Sequence, residues 1–198
     1  MKRPAFYTIT LLATLHFITI TACTVAARDR KPFETIDVRI GYCVNTNRNL
    51  FHEYWHAANG VDLSFRTPFH VGEAIAGVAF FPVSSRFGDI PDFKNLFPFA
   101  GWGMSIRGNV RICFSASVVI GSNLFFFDDE PAPGLRQESV FGVSASLGLD
   151  CTIGGDWSVG FAGKRHLILT HERIRLTYIV FGLNRRFDSP SWLEGFLQ

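Results

Sequence analysis

The sequence predicts an all-β fold, an eight-stranded antiparallel up-and-down transmembrane β-barrel. Apolar and polar residues alternate with a period of two through several segments, as in strands with one apolar face. The chain is 47% hydrophobic, yet no apolar run beyond the N-terminal region reaches the roughly 20 residues of a membrane-spanning helix. A closed barrel is the other structure that satisfies every backbone group in lipid.

Residues 1–27 have the composition of a signal peptide. Two basic residues precede an apolar run from about Tyr7 to Ala22, and small residues follow it. Two processing sites stay open. Val25-Ala26-Ala27 suits ordinary signal peptidase, whereas Ile20-Thr21-Ala22-Cys23 resembles a lipobox that would leave a lipidated Cys23. Either site predicts export from the cytoplasm.

The charge of the chain argues against a nucleic-acid partner. It has 19 basic and 17 acidic residues, and two of the basic ones belong to the signal peptide. The mature chain is therefore near neutral, without the basic stripe of a nucleic-acid-binding protein. Its 21 phenylalanines suit lipid-facing strands and interfacial girdles. We expect no cofactor.

The first five strands are separated by connections that alternate between long and short. The predicted strands are Thr35–Asn45, Ala57–Thr67, His70–Val83, Phe97–Arg107 and Val110–Phe126. The long connections are 46–56, 84–96 and 128–137, and the short ones are 68–69 and 108–109. Short turns at the periplasmic end and longer loops outside are typical of outer-membrane barrels.

The last three predicted strands are Ser139–Ile153, Trp157–Leu169 and Arg173–Phe187, and they alternate most clearly. In the first of them, large apolar residues from Phe141 to Ile153 share one face, while Gly, Ser, Asp and Thr share the other. Small residues suit the crowded interior of a narrow barrel, so the apolar face is predicted to meet lipid. A soluble lipocalin-like barrel is the structural alternative, although it would not need small residues on its polar face.

The predicted domain organisation is a barrel over 28–187 followed by a short periplasmic tail, 188–198. We expect a monomer in the outer membrane of a Gram-negative-type bacterium. Its expected partners are outer-membrane lipids, including lipopolysaccharide, and the barrel-assembly machinery during insertion.

Ten titratable side chains are predicted to point into the lumen and to form ion pairs there, because buried charges must be paired. They are Asp37, Arg39, Asp62, Arg66, Glu73, Arg107, Asp150, Lys164, His166 and Arg186. An eight-stranded barrel has an interior that side chains just fill. We therefore expect a plugged lumen rather than a diffusion channel.

Two further residue types carry candidate chemistry. Cys43 and Cys113 are predicted to point inward and Cys151 outward, so Cys113 cannot form a disulfide with Cys151 on the neighbouring strand, and free buried thiols are expected. His52 to His56 match H-E-x-x-H, which on a helix can hold zinc with two histidines. No third ligand is evident, so we expect an aromatic interfacial loop and no metal.

Residues Gly160 to Phe187 resemble the last two strands of small outer-membrane barrels. Phe187, Leu183 and Phe181 share a face, as in the terminal assembly signature of such proteins, whereas Arg185 departs from it. The order LGLDCTIGGDWSVGFAGKRH followed by FGLNRRF is most similar to the lipid A deacylase barrels.

That resemblance implies a histidine base in a His-x-Ser-Asn motif and an acidic partner. Only His166 carries over, with Glu172 as a loose candidate for the acid, because Leu167, Ile168 and Leu169 replace the motif. The nearest hydroxyl is predicted to be that of Thr170, roughly 13 Å from His166. We therefore expect a barrel without catalytic activity and with a surface-interaction role. A lipid A deacylase-like esterase is the alternative.

Overall fold

A computed structural model describes residues 31–47, 51–88, 90–108, 111–129, 136–170 and 173–190. The elements in these ranges are β1 (Thr35–Asn45), α1 (Phe51–Tyr54), β2 (Trp55–Ala57), β3 (Gly60–Pro68), β4 (Glu73–Ser85), β5 (Phe93–Arg107), β6 (Ile112–Phe127), β7 (Gln137–Gly154), β8 (Trp157–Ile168) and β9 (Ile174–Asp188). The predicted signal peptide, with Cys23, and residues 191–198 of the predicted tail lie outside the described residues. Across those ranges, no helix has both the length and the apolarity to cross a membrane.

Eight strands close into an antiparallel barrel. Neighbours in sequence pair from β3 to β9, and β1 pairs with both β3 and β9. The closing register runs from Thr35 opposite Asp188 to Asn45 opposite Tyr178. Closure removes the free strand edges that lipid could not satisfy. The predicted all-β, eight-stranded antiparallel barrel is confirmed.

Three strands start three or four residues away from their predicted positions, and one of them is β4, which begins at Glu73 rather than His70. β5 begins at Phe93 rather than Phe97, and residues 93–96 pair with both β4 and β6, so the predicted loop 84–96 is too long. Phe93, Asn95 and Phe97 all face inward and are buried, and this apolar inner face hides the alternation. The predicted second strand is also divided. Its first residue belongs to β2, which pairs with the C-terminal end of β4, and the barrel strand β3 starts only at Gly60.

The two faces of the wall have the predicted sidedness. Leu147 and Ile40 on the outer face are 72% and 63% exposed, whereas Ser144 and Arg39 on the inner face are 2% and 5% exposed. The large exposed apolar side chains continue around the outside of the barrel. Such a surface is stable where lipid rather than water covers it.

The short turns and the long loops lie at opposite ends. The strand ends Pro68, Arg107 and Gly154 lie at the same end of the barrel as Thr35 and Asp188. Gly155 has a φ of +53°, which a glycine adopts without steric cost in a tight turn. In outer-membrane barrels the end with the short turns is periplasmic, so the strand ends Asn45, Ser85, Phe127 and Ile168 lie at the extracellular end.

Val118→Arg tests the sidedness, because Val118 is 54% exposed in the middle of the outer face of β6. We expect a loss of about 2–4 kcal/mol in the free energy of unfolding, since a cation near the bilayer midplane is poorly solvated. Urea titration of the protein in lipid vesicles measures this loss.

Phe126→Arg is the control for depth, because Phe126 lies on the same face near the extracellular end of β6. The charge there should cost only about 0–1 kcal/mol beyond the loss of the phenyl ring. Equal stability of Val118→Arg and the parent would mean that the outer face does not meet lipid.

Candidate functional site

The periplasmic half of the lumen is a charged cavity of about 230 Å³. Seven of the ten predicted lumen residues line it: Asp37, Arg39, Arg66, Glu73, Arg107, Asp150 and Arg186. Arg111 and Asp156, from the short turns, add one more charge of each sign. The seven strand residues line the same cavity because each is at an inward position of its strand.

The carboxylates of this cavity have specific partners. Arg186 donates two hydrogen bonds of 2.8 Å to Asp37, in a bidentate pair across the β1–β9 seam. Glu73 accepts from Ser105 Oγ at 3.0 Å, and Asp150 accepts from Asn184 Nδ2 at 2.9 Å. Such bonds hold charges that would otherwise be costly to bury.

A second pair crosses the middle of the barrel. Lys164 Nζ lies 3.0 Å from Asp62 Oδ2, and both side chains are nearly buried. The same ammonium lies 5.1 Å from the centre of the Phe99 ring. Arg39 and Asp150 approach to 3.9 Å beside this pair. These residues separate the charged cavity from the extracellular half.

The extracellular half of the lumen is aromatic. Phe81 stacks on Tyr178 with ring centres 4.6 Å apart, and Phe93 meets Phe125 edge-on at 5.3 Å. All four are buried, as is Phe97. The inner faces of β4 and β5 therefore carry phenylalanines, unlike the small inner residues predicted for the strand that begins at Ser139.

His166 lies in this aromatic half, 2% exposed. Its Nε2 is 2.9 Å from Asn123 Oδ1, and its ring contacts Phe97 edge-on. Ser144 lies directly opposite in the β7–β8 register, which puts the two Cβ atoms about 4.5–5.5 Å apart. The identification of Thr170 as the nearest hydroxyl is therefore wrong, because it considered only one strand.

Neither hydrogen bond of this group forms a base–nucleophile pair. The Ser144 hydroxyl donates to the Arg165 carbonyl at 3.2 Å, and the imidazole is bonded to a neutral amide. The sequence candidate Glu172 lies outside the described residues. Among the described residues, His166 therefore makes a buried polar contact within an aromatic layer.

The H-E-x-x-H segment does not form one helical face. The helix α1 ends at Tyr54, and His56 belongs to β2. His52 and His56 nevertheless line one surface cavity of about 250 Å³ with three asparagines, and His52 Nε2 is 3.1 Å from Asn45 Nδ2. Among the described residues, no three His, Cys, Asp or Glu side chains gather as metal ligands would.

The described cysteines Cys43, Cys113 and Cys151 are free thiols. Cys113 pairs with Asp150 and Ile112 pairs with Cys151, so the two cysteines of the adjacent strands β6 and β7 lie on opposite faces. This is the predicted arrangement, and Cys43 is fully buried.

Solved structures similar to this chain are small outer-membrane barrels. Neisserial surface protein A has a TM-score of 0.56 at 8% identity, over 77% of this chain and 96% of its own. Ail, the attachment invasion locus protein of Yersinia pestis, has a TM-score of 0.50 at 14% identity, over 78% and 99%. The N-terminal β-barrel domain of Pseudomonas aeruginosa OprF has a TM-score of 0.50 at 8% identity, over 79% and 100%.

The sequence matches no protein-family model and no curated protein. At these identities the structural likeness shows the fold. That fold, closed and covered by an apolar outer face, is an outer-membrane barrel, and the predicted location in the outer membrane is confirmed on that basis.

Asp62→Ala should be strongly destabilising, by about 3–5 kcal/mol, because it leaves the buried ammonium of Lys164 without its partner. Asp128→Ala is the matched control, since Asp128 pairs with Lys94 at 2.8 Å but both side chains are 52% exposed. An exposed pair contributes about 0.2–1 kcal/mol. Unfolding in vesicles compares the two, and equal losses would contradict a sequestered central pair.

The loop histidine gives a pH-dependent prediction. Burial, followed by the charges of Arg86 and His56, lowers the pKa of His52 below its ordinary value. Since the unfolded chain then binds a proton that the folded loop resists, protonation should loosen this loop as the pH falls below about 6.5. NMR titration of the His52 ring measures its pKa, which should rise in Arg86→Gln. An unchanged pKa in that variant would remove Arg86 as a cause.

Proposed function

We propose that the protein is a non-enzymatic outer-membrane barrel with a plugged lumen, which acts by presenting its extracellular rim to other surfaces. The observation that carries this proposal is the aromatic layer of the extracellular half. Its side chains are packed against one another and almost inaccessible. A barrel filled in this way offers solutes no path from that end, so contact at the rim is the activity left to it.

The rim has an aromatic surface suited to contact. We define the rim cluster as Phe51, Tyr54, Trp55 and Phe87. Phe51 stacks on Trp55 at 5.3 Å, and Trp55 meets Phe93 of the lumen at 6.0 Å. Tyr54 and Phe87 remain 45% and 51% exposed. Exposed aromatics on a rigid support are typical of the centre of protein interfaces.

The esterase alternative has one observation in its favour, the position of Ser144 opposite His166. Acyl transfer would need His166 to take the serine proton and an acyl group to reach the serine. The histidine is bonded to Asn123, and His166 and Ser144 are each only 2% exposed. The geometry therefore supports a structural role for this pair.

Two measurements test the proposal. Purified barrel in planar bilayers should give no stable conductance steps. Cells that display the barrel should adhere to protein-coated surfaces more than cells without it. Tyr54→Ser combined with Phe87→Ser should remove that gain, while Lys94→Ala, at the same end but outside the rim cluster, should keep it. Steady conductance, or adherence that ignores the double substitution in folded protein, would contradict the proposal.

His166→Ala should destabilise the barrel by about 1–3 kcal/mol, because Asn123 loses a buried hydrogen-bond partner. It should abolish no reaction, since the parent should release no 3-hydroxy fatty acid from lipid A. Fatty-acid analysis after incubation with purified protein checks this. Release by the parent that disappears in both His166→Ala and Ser144→Ala would establish the esterase instead.

A further inference from the structure

The outer wall carries an apolar furrow that the proposed rim function does not use. Its volume is about 590 Å³, and it crosses β5 to β9. Ala116, Ala145 and Gly163 line it together with the larger Trp102 and Leu147. A Cβ atom built on Gly163 would meet nothing within 4 Å, so this part of the wall is open on the lipid side.

The furrow has a direction relative to the membrane. The registers place Trp102, Val118, Ala145, Arg165 and Thr177 in one row across the five strands. Four strand spacings make this row about 19 Å long, and strand tilt turns it diagonal to the membrane. At its β9 end, the Thr177 carbonyl accepts from the backbone of Thr46, just beyond the extracellular end of β1. The furrow therefore descends from the outer-leaflet side towards the bilayer interior.

A cation stands at the upper end of the furrow. Arg165 lies on the lipid face, exposed, between Ala145 and Thr177. Its neighbour in sequence, Lys164, points inward to Asp62, but the described residues give the Arg165 guanidinium neither an ion pair nor an aromatic ring. A guanidinium on the lipid face needs a counterion.

Arg185 shows how the outer wall accommodates a cation that has no acidic side chain as its partner. It is also on the outer face, at the periplasmic end of β9, and its guanidinium lies 5.1 Å from the Trp157 ring and 4.8 Å from the Phe187 ring. Two aromatic faces therefore accommodate that charge. Arg165 has the furrow beside it instead of rings.

We propose that the furrow and Arg165 form a binding site for one phosphorylated, acylated saccharide of the outer leaflet, the chemistry of lipid A. One acyl chain lies along the small residues of the furrow. A phosphate oxygen pair meets the planar fork of Arg165, the geometry in which guanidinium groups bind phosphate. The polar end faces the extracellular side, so the ligand comes from the outer leaflet.

The test uses native mass spectrometry of the full barrel, titrated with lipid A and with dephosphorylated lipid A. Arg165→Gln should weaken binding of the phosphorylated lipid about tenfold and leave the dephosphorylated lipid unchanged. Arg165→Lys should lie between, because it keeps the charge and loses the fork. Arg185→Gln is the control and should bind as the parent does. Heat-modifiable migration on gels confirms that each variant is folded.

A second pair of variants tests the acyl-chain part separately. Gly163→Leu fills the open space and should weaken binding of both lipids, whereas Ala100→Leu, on the lipid face of β5 outside the furrow, should not. Equal binding of lipid A by Arg165→Gln and the parent would overturn the site, as would association of barrels through the furrow without lipid. Neither result affects the adherence measured with the rim variants, so this inference and the proposed function can fail independently.

Discussion

The pairing of β1 with β9 is the constraint on which the rest of the structure depends. In lipid, every unpaired backbone group on a strand edge is costly, so the sheet must close. The seam is supported at both ends. Asp37 and Arg186 are direct partners across it and form the bidentate ion pair at the periplasmic end. At the extracellular end, Thr46 and Asn47 both donate to the Thr177 carbonyl.

Closure with eight strands sets a narrow interior, and this explains how the inner side chains are distributed. Large and small residues must oppose one another across so small a lumen. A Cβ added to Gly121 or Gly142 would contact the Phe97 ring, so these two glycines provide the space that the phenylalanine occupies. Gly182 does the same for the Arg39 guanidinium. In both halves of the lumen, therefore, a glycine lies beside a large side chain, which is aromatic in one half and charged in the other.

Most of the barrel could be predicted because alternation is a local property. β1 matches its predicted bounds, and β6 to β9 lie within two residues of theirs. The start of β5 could not be predicted, since Phe93 and Phe97 make its inner face apolar and the period of two disappears. The pairing of Ser144 with His166 across β7 and β8 also could not be predicted from the sequence. It depends on the register of two strands, and a shift of one residue would place the side chains on opposite faces.

The position of each charge relative to the wall decides what it can do. Lys164 and Arg165 are neighbours in sequence, and strand alternation sends one into the lumen and the other into the lipid face. The lumen supplies Lys164 with Asp62, because another strand of the same closed barrel lies opposite. The lipid face has no opposite strand, so the counterion that we propose for Arg165 comes from outside the chain. Closure therefore lets inward charges meet across the lumen, whereas a cation on the outer wall meets aromatic rings, as Arg185 does, or the lipids around the barrel.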